Sequence, residues 1–181
     1  MNLVAGFAPF ILFTVLSRLS VDLALWVAFA TAFVLTIRDF VESPSLRLLD
    51  AGSLTLFALL ALGRGFLDPN LSLPAVRFIA ALSLFLVLGL PLALKRPFSV
   101  DYARLDPREA GWPPELFLRV NYLVSAAWAL AFAVMAVADG AVTFDAGLPL
   151  YGSIAISLLA LAAAVTFTLR YPALAAKQAN S

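Results

Sequence analysis

Apolar runs of roughly membrane-crossing length set the terms for this chain of 181 residues. Six of them stand out, at about 2–17, 23–37, 48–66, 77–94, 118–138 and 148–169. A helix needs about 20 residues, within a range of about 17–25, to cross a hydrocarbon core about 30 Å thick. The first two runs are short and are separated only by the six residues 17–22, so they read as a tight hairpin. Arg18 can snorkel there, adding its stem to the apolar length. Pro9 interrupts the first run, which leaves a five-span alternative open. The expected architecture is an all-α, polytopic transmembrane helical bundle forming a single membrane domain over 1–181, with about six spans.

Composition supports lipid as the solvent. Hydrophobic residues make up 63% of the chain and charged residues 13%, against about 25% charged in ordinary soluble domains. A soluble fold could not cover so much apolar surface with so few charges. Cysteine and histidine are both absent. Disulfides, thiol chemistry, imidazole-bound haem and histidine di-iron sites are thereby excluded, along with the commonest general base. A net charge of +1 gives no reason to expect nucleic-acid binding. Ten arginines against two lysines, with abundant alanine, point to a GC-rich bacterial genome. The first segment lacks a basic region before its apolar run, and Arg18 and Asp22 follow closely. It therefore reads as a retained membrane segment rather than a cleaved signal peptide.

Turn signals mark the boundaries. Ser43-Pro44 breaks the second connection, Asp68-Pro69-Asn70 marks the third, and Pro74 suits the first turn of the fourth helix. Asp139-Gly140 reads as the end of the fifth helix, with glycine as its C-cap. Pro172 reads as the end of the sixth, and Pro91 as a kink in the fourth. With six spans, one side holds nine basic residues: Arg38, Arg47, Lys95, Arg96, Arg104, Arg108, Arg119, Arg170 and Lys177. The other holds three: Arg18, Arg64 and Arg77. The bias of positive charge predicts both termini, and the stretch 95–117, in the cytoplasm.

That stretch is the longest polar one, and it reads as an ordered elbow. Lys95 and Arg96 suit the end of the fourth helix, and Pro97 prevents its continuation. Phe98, Tyr102 and Leu105 fall on one stripe of a short interfacial helix. Asp106, Pro107 and Glu109 form a helix-start signal, which Gly111 stops. Trp112 suits the aromatic belt, and Pro114-Glu115 restarts a helix that runs to about 138. Its first turns protrude from the core and place Arg119 and Asn121 at the interface. The elbow is either a structural connector or a docking surface for a protein partner. The docking alternative comprises Lys95, Arg96, Pro97, Phe98, Tyr102, Trp112, Arg119, Asn121 and Trp128.

The two opposite hairpins share a pattern, Arg18 with Asp22 and Arg64 with Asp68. These four are either interface anchors at helix ends or the lining of a polar cavity. Within the spans lie scattered hydroxyls and small-residue faces such as Ser153 with Ser157. No phosphate-binding loop, nucleophile elbow or carboxylate pair within a span is visible. No catalytic or metal-binding residue is assigned, and the chain is expected to be neither an enzyme nor a cofactor carrier. The expected partners are membrane lipids and other membrane proteins.

Several stretches resemble the intracellular septation protein A family of the bacterial inner membrane. Phe7-Ala8-Pro9-Phe10-Ile11-Leu12-Phe13 looks like the family's N-terminal start, and Arg18 and Asp22 are similar to its first hairpin with one residue of difference in spacing. Lys95-Arg96-Pro97-Phe98 matches its basic-basic-Pro-hydrophobic step. Leu118-Arg119-Val120-Asn121, followed by Trp128-Ala129-Leu130-Ala131-Phe132, resembles its fifth helix. The separation of Asn121 from Trp128 departs from the family pattern by about one turn, and Asp139 stands in place of a family Asn. The resemblance implies a non-enzymatic inner-membrane protein that supports septation and envelope integrity through contacts with envelope or division proteins. The competing class is a small-molecule or lipid transporter built around the Arg18, Asp22, Arg64 and Asp68 loops.

Overall fold

A computed structural model describes residues 3–42, 47–104 and 112–179. The described residues form α-helices and one π-helical turn, with no strand among them. The order is α1 (Leu3–Gly6), α2 (Ala8–Leu16), α3 (Val21–Glu42), α4 (Leu48–Leu62, continued by the π-turn Gly63–Leu67), α5 (Leu73–Ala93), α6 (Val100–Ala103), α7 (Pro114–Thr143) and α8 (Leu150–Ala179). Five helices, α3, α4 with its π-turn, α5, α7 and α8, are long and apolar enough to cross a membrane. The chain is a multi-pass membrane protein with an all-α bundle.

The N-terminal segment is shorter than a span. From Leu3 to Leu16 it rises about 21 Å at 1.5 Å per residue. It nevertheless runs from one end of the bundle to the other. At one end Gly6 lies against Leu49 and Tyr102, so close that a Cβ would meet both at 3.1–3.2 Å. At the other end Ser17 lies against Arg77. Phe7, Phe10 and Phe13 all point inward and are fully buried. Phe7 stacks on Trp128 of α7 at 3.6 Å and meets Phe98 edge-on at 5.9 Å. Phe10 packs edge-to-face on Phe132, and Phe13 meets Phe57 of α4 at a tilt, with ring centres 5.7 Å apart. Aromatic pairs of this kind contribute about 0.5–1.5 kcal/mol beyond their buried area. The opposite face of the segment, with Leu12 and Val15, stays exposed, as suits a helix seated in a cleft open to lipid.

Helix ends differ from the turn signals in two places, and from the apolar run in a third. The fifth span does not stop at Asp139-Gly140, because Asp139 is drawn into a buried ion pair and Gly140 packs against Phe78, where a Cβ would sit 3.1 Å from the ring. The helix instead runs to Thr143. Helix α8 continues through Pro172 to Ala179, with Phe167 stacked on Tyr171 across the turn before the proline. Helix α5 starts at Leu73, earlier than the apolar run suggests, because Ser72 caps it by accepting from the Ala75 N–H, with Pro74 in the first turn. The signals at Ser43-Pro44, Leu105, Asp106-Pro107, Arg108, Glu109 and Gly111 lie outside the described residues.

Helices α5 and α7 both end in paired Schellman hydrogen bonds without glycine. After α5, Arg96 N–H donates to Pro91 O at 2.8 Å and Lys95 N–H to Leu92 O at 3.0 Å, with Lys95 at φ 59°. After α7, Ala146 N–H donates to Ala141 O and Asp145 N–H to Val142 O, with Asp145 at φ 55°. The left-handed conformation costs a side-chain-bearing residue about 1–2 kcal/mol, less for Asp, whose short polar side chain tolerates it. Lys95→Gly is therefore expected to stabilise the protein by about 0.5–1 kcal/mol net of glycine's greater chain entropy. Asp145→Gly should gain less. Reversible unfolding in mixed micelles checks the order of the two effects, and a loss of stability in Lys95→Gly would refute the assignment.

Candidate functional site

Two polar clusters lie at opposite ends of the aromatic spine. The first sits inside the span level of α5 and α7. Arg77 is one turn into α5, Asp139 is one turn from the end of α7, and both side chains are almost wholly buried. Arg77 Nε donates to Asp139 Oδ1 at 3.0 Å, Nη2 donates to Ser157 Oγ of α8 at 2.9 Å, and Nη1 makes a longer contact of 3.5 Å with Ser17 Oγ. Ser153, one turn from Ser157, lies beside the Asp139 carboxyl. Thr143 Oγ1 donates to the Asp139 carbonyl. Four segments, α5, α7, α8 and the end of α2, thus converge on one guanidinium. Arginine suits this place because its fork of donors can serve a carboxylate and two hydroxyls at once.

The second cluster holds the elbow. Tyr102 Oη donates to Asp50 Oδ1 of α4 at 2.8 Å. The Arg47 guanidinium lies 4.8 Å from the centre of the Tyr102 ring and pairs with Asp39 Oδ2 of α3 at 3.1 Å, both charged side chains being buried. Arg38 bonds the other Asp39 oxygen. Burial, reinforced by the adjacent Asp50 carboxyl, pushes the Tyr102 hydroxyl well above the ordinary phenol range, so it remains a neutral donor. Beside this, Ser99 Oγ donates to the Asn121 carbonyl at 2.8 Å and accepts from Ser125 Oγ at 3.0 Å, while Ser99 N–H donates to Ser125 Oγ at 3.2 Å. Asn121 Nδ2 donates to Phe117 O.

This arrangement corrects part of the docking surface expected from the sequence. Phe98, Tyr102, Asn121 and Trp128 are buried, because the chain turns at Lys95 and carries Phe98 and Tyr102 back into the bundle. Trp128 donates its indole N–H to Thr168 of α8 at 2.9 Å, which tethers α7 to α8. Trp112 is half-buried against the core and Pro97 is partly covered. Lys95, Arg96 and Arg119 remain exposed, as do Asp101, Arg104 and Glu115.

The four hairpin residues also pair differently from their spacing. Arg64 Nε reaches Asp22 Oδ1 at 2.7 Å, across from the end of α4 to the start of α3, and Arg64 Nη1 bonds the Leu71 carbonyl. The π-turn at Gly63–Leu67 aims Arg64 in this direction. Asp68 is exposed and caps the Asn70 N–H, forming the turn itself, and Arg18 is exposed. Of the four, Arg64 and Asp22 tie two helix ends together. A separate groove of roughly 490 Å³ on the outer surface of α7 and α8, lined by Ala133, Val137, Ala141 and Ile156, presents almost no polar surface. No cluster of His, Cys, Asp or Glu suited to a metal ion occurs among the described residues.

The sequence reading missed the Arg77–Asp139 pair. Each residue was placed at a helix end, where charge is unremarkable. The usable signal was Ser72 followed by Pro74, which starts α5 before Arg77 and puts that charge inside the span. An arginine one turn inside one helix start and an aspartate one turn inside an antiparallel helix end lie at the same depth.

Removing one member of a buried pair leaves an uncompensated charge, at a cost of about 3–5 kcal/mol, whereas replacing both by apolar groups is often neutral. Arg77→Leu and Asp139→Leu are each expected to lower membrane levels and unfolding midpoint sharply, and the double variant to recover most of the loss. Additive losses in the double variant would show that the two residues act separately. In comparisons with known proteins, no family model matches the chain, and neither the curated proteins nor the solved structures yield a match, so the functional reading rests on the residues themselves.

Proposed function

We propose that this is a non-enzymatic protein of the bacterial inner membrane, with both termini in the cytoplasm, that supports septation and envelope integrity through contacts with other envelope or division proteins. The observation that carries this reading is the anchored elbow. Ser99, Phe98 and Tyr102 bind it to the bundle at three points, which leaves Asp101, Arg104 and Glu115 exposed on a backbone already held in place. A pre-ordered surface loses little conformational entropy on docking. The septation role itself comes from the resemblance of the Phe7–Phe13, Lys95–Phe98 and Leu118–Phe132 stretches to the septation protein A family.

The transporter alternative draws less support. Arg64 and Asp22 close on one another, and Arg18 and Asp68 are exposed. The buried polar groups described above are joined to one another rather than to an accessible substrate path. The K/R bias favours the elbow end as cytoplasmic.

The chain lacks cysteine, so single-cysteine labelling tests the orientation directly. A membrane-impermeant maleimide is expected to label Ala146→Cys in intact cells and Arg104→Cys only after permeabilisation; the reverse pattern would overturn the orientation. A photo-crosslinker at position 101 or 104 in native membranes should capture division or envelope-synthesis proteins, and loss of the protein should disturb septum placement. Normal septation together with no such crosslinks would sink the proposed role.

A further inference from the structure

Four threonines in these helices return their hydroxyl to the helix that carries them. Thr14, Thr31, Thr143 and Thr168 each donate to the carbonyl four residues back. Thr36 of α3 does not. The residue is only 8% exposed, and its Oγ1 has no hydrogen-bond partner among the described residues. A buried hydroxyl left without a partner is costly, so its surroundings need an explanation.

What faces Thr36 follows from two bonds between α3 and α4. Asp39 pairs with Arg47 and Asp22 with Arg64, and the same number of residues separates the two bonds on each side. The helices therefore run antiparallel in step. Thr36, three residues before Asp39, comes level with Asp50, three residues after Arg47. At about 3.6 residues per turn, Thr36 also lies on the sector of α3 between Asp39 and Asp22, the two residues bonded to α4.

Asp50 has an oxygen to spare at this level. Its Oδ1 accepts from Tyr102, and Oδ2 accepts no hydrogen bond among the described residues. Ser53, one turn further along α4, is buried and makes no side-chain hydrogen bond among those residues. Asp50 and Ser53 keep 6% and 3% of their surface, so a water-sized space reaches both. Two hydroxyls and a carboxylate oxygen at neighbouring depths suit a small ligand that both donates and accepts. A cation would use only the acceptors. Positive charge is already supplied here by Arg47 and by the first turn of α4, in which Asp50 lies. An anion would meet the Asp50 carboxylate.

We propose that Thr36, Asp50 and Ser53 hold an ordered water molecule between α3 and α4, which donates to Asp50 Oδ2 and accepts from Thr36 Oγ1. The water fixes the carboxylate that binds Tyr102, and so ties the seat of the elbow to α3 as well as to α4. The site is independent of what the elbow docks, so either assignment can fail alone.

The test uses the full chain in nanodiscs. A map that resolves ordered solvent should carry a peak within about 3.2 Å of both Thr36 Oγ1 and Asp50 Oδ2. Thr36→Val keeps the shape and removes the hydroxyl. With the water bound, it should lower the melting temperature by about 2–4 °C and speed amide exchange over residues 100–104 about fivefold. Thr36→Ser, which keeps the hydroxyl, should restore wild-type values of both. An unpartnered hydroxyl is a cost that valine removes, so an equal or higher melting temperature in Thr36→Val would overturn the site. A direct bond between Thr36 and Asp50 in the map would do the same. Melting temperatures in sodium, potassium and choline chloride at equal ionic strength should coincide, and a rise specific to sodium or potassium would reassign the site to a cation. A lower melting temperature with exchange over 100–104 unchanged would overturn the link between the water and the elbow.

Discussion

Hydrocarbon offers no hydrogen bonds, so a charged side chain within the spans must find its partners inside the protein. Arg77 meets that requirement by gathering Asp139, Ser157 and Ser17. Its neighbours are consequently not interchangeable. Helix α5 must face α7 with Asp139 at the same depth, α8 must bring a serine, and the end of α2 must reach the same point. Apolar packing alone would tolerate many rotations and shifts of helices made mostly of Leu, Ala and Val. A buried pair admits one register of α5 on α7, and that register carries down to the elbow, where Ser99 meets Asn121 and Ser125.

Between the two polar clusters runs a spine of Phe13, Phe57, Phe10, Phe132, Phe7, Trp128 and Phe98. It seats the N-terminal segment along the length of the bundle, from Tyr102 at one end to Arg77 at the other, although that segment is shorter than a span. The elbow is the terminus of this spine: Phe98 closes it, and Tyr102 seals the gap over Asp50. What the elbow presents outward is therefore what its apolar residues do not use. Its charge is available because its hydrophobic contribution has already been made inward.

Much of this was legible in the sequence. Apolar length announced the membrane bundle and five of its helices, and the helix stop at Lys95-Arg96-Pro97 and the short helix that carries Tyr102 were recognisable from those residues and the spacing of Phe98 to Tyr102. Direction was the part that the pattern left open. A stripe of Phe and Tyr beside a membrane is equally compatible with lying on lipid and with folding back into protein, and the choice depends on Asp50 and Phe7, which are distant in the chain. Pairing among charges was hidden for the same reason. Arg64 has Asp68 four residues away yet bonds Asp22, because the π-turn redirects it. Local spacing describes who could meet along one helix, and the bundle decides who does.

The N-terminal segment has a further implication for biosynthesis. Its partners Phe57, Arg77, Phe98, Trp128 and Phe132 all lie downstream, so each emerges from the ribosome after the segment that must pack on it. Too short to hold a transmembrane position by hydrophobic length alone, residues 3–16 can reach their final seat only once α7 has been inserted. The stretch translated before all these partners is completed after them, and the bundle remains open along one side until synthesis is nearly done.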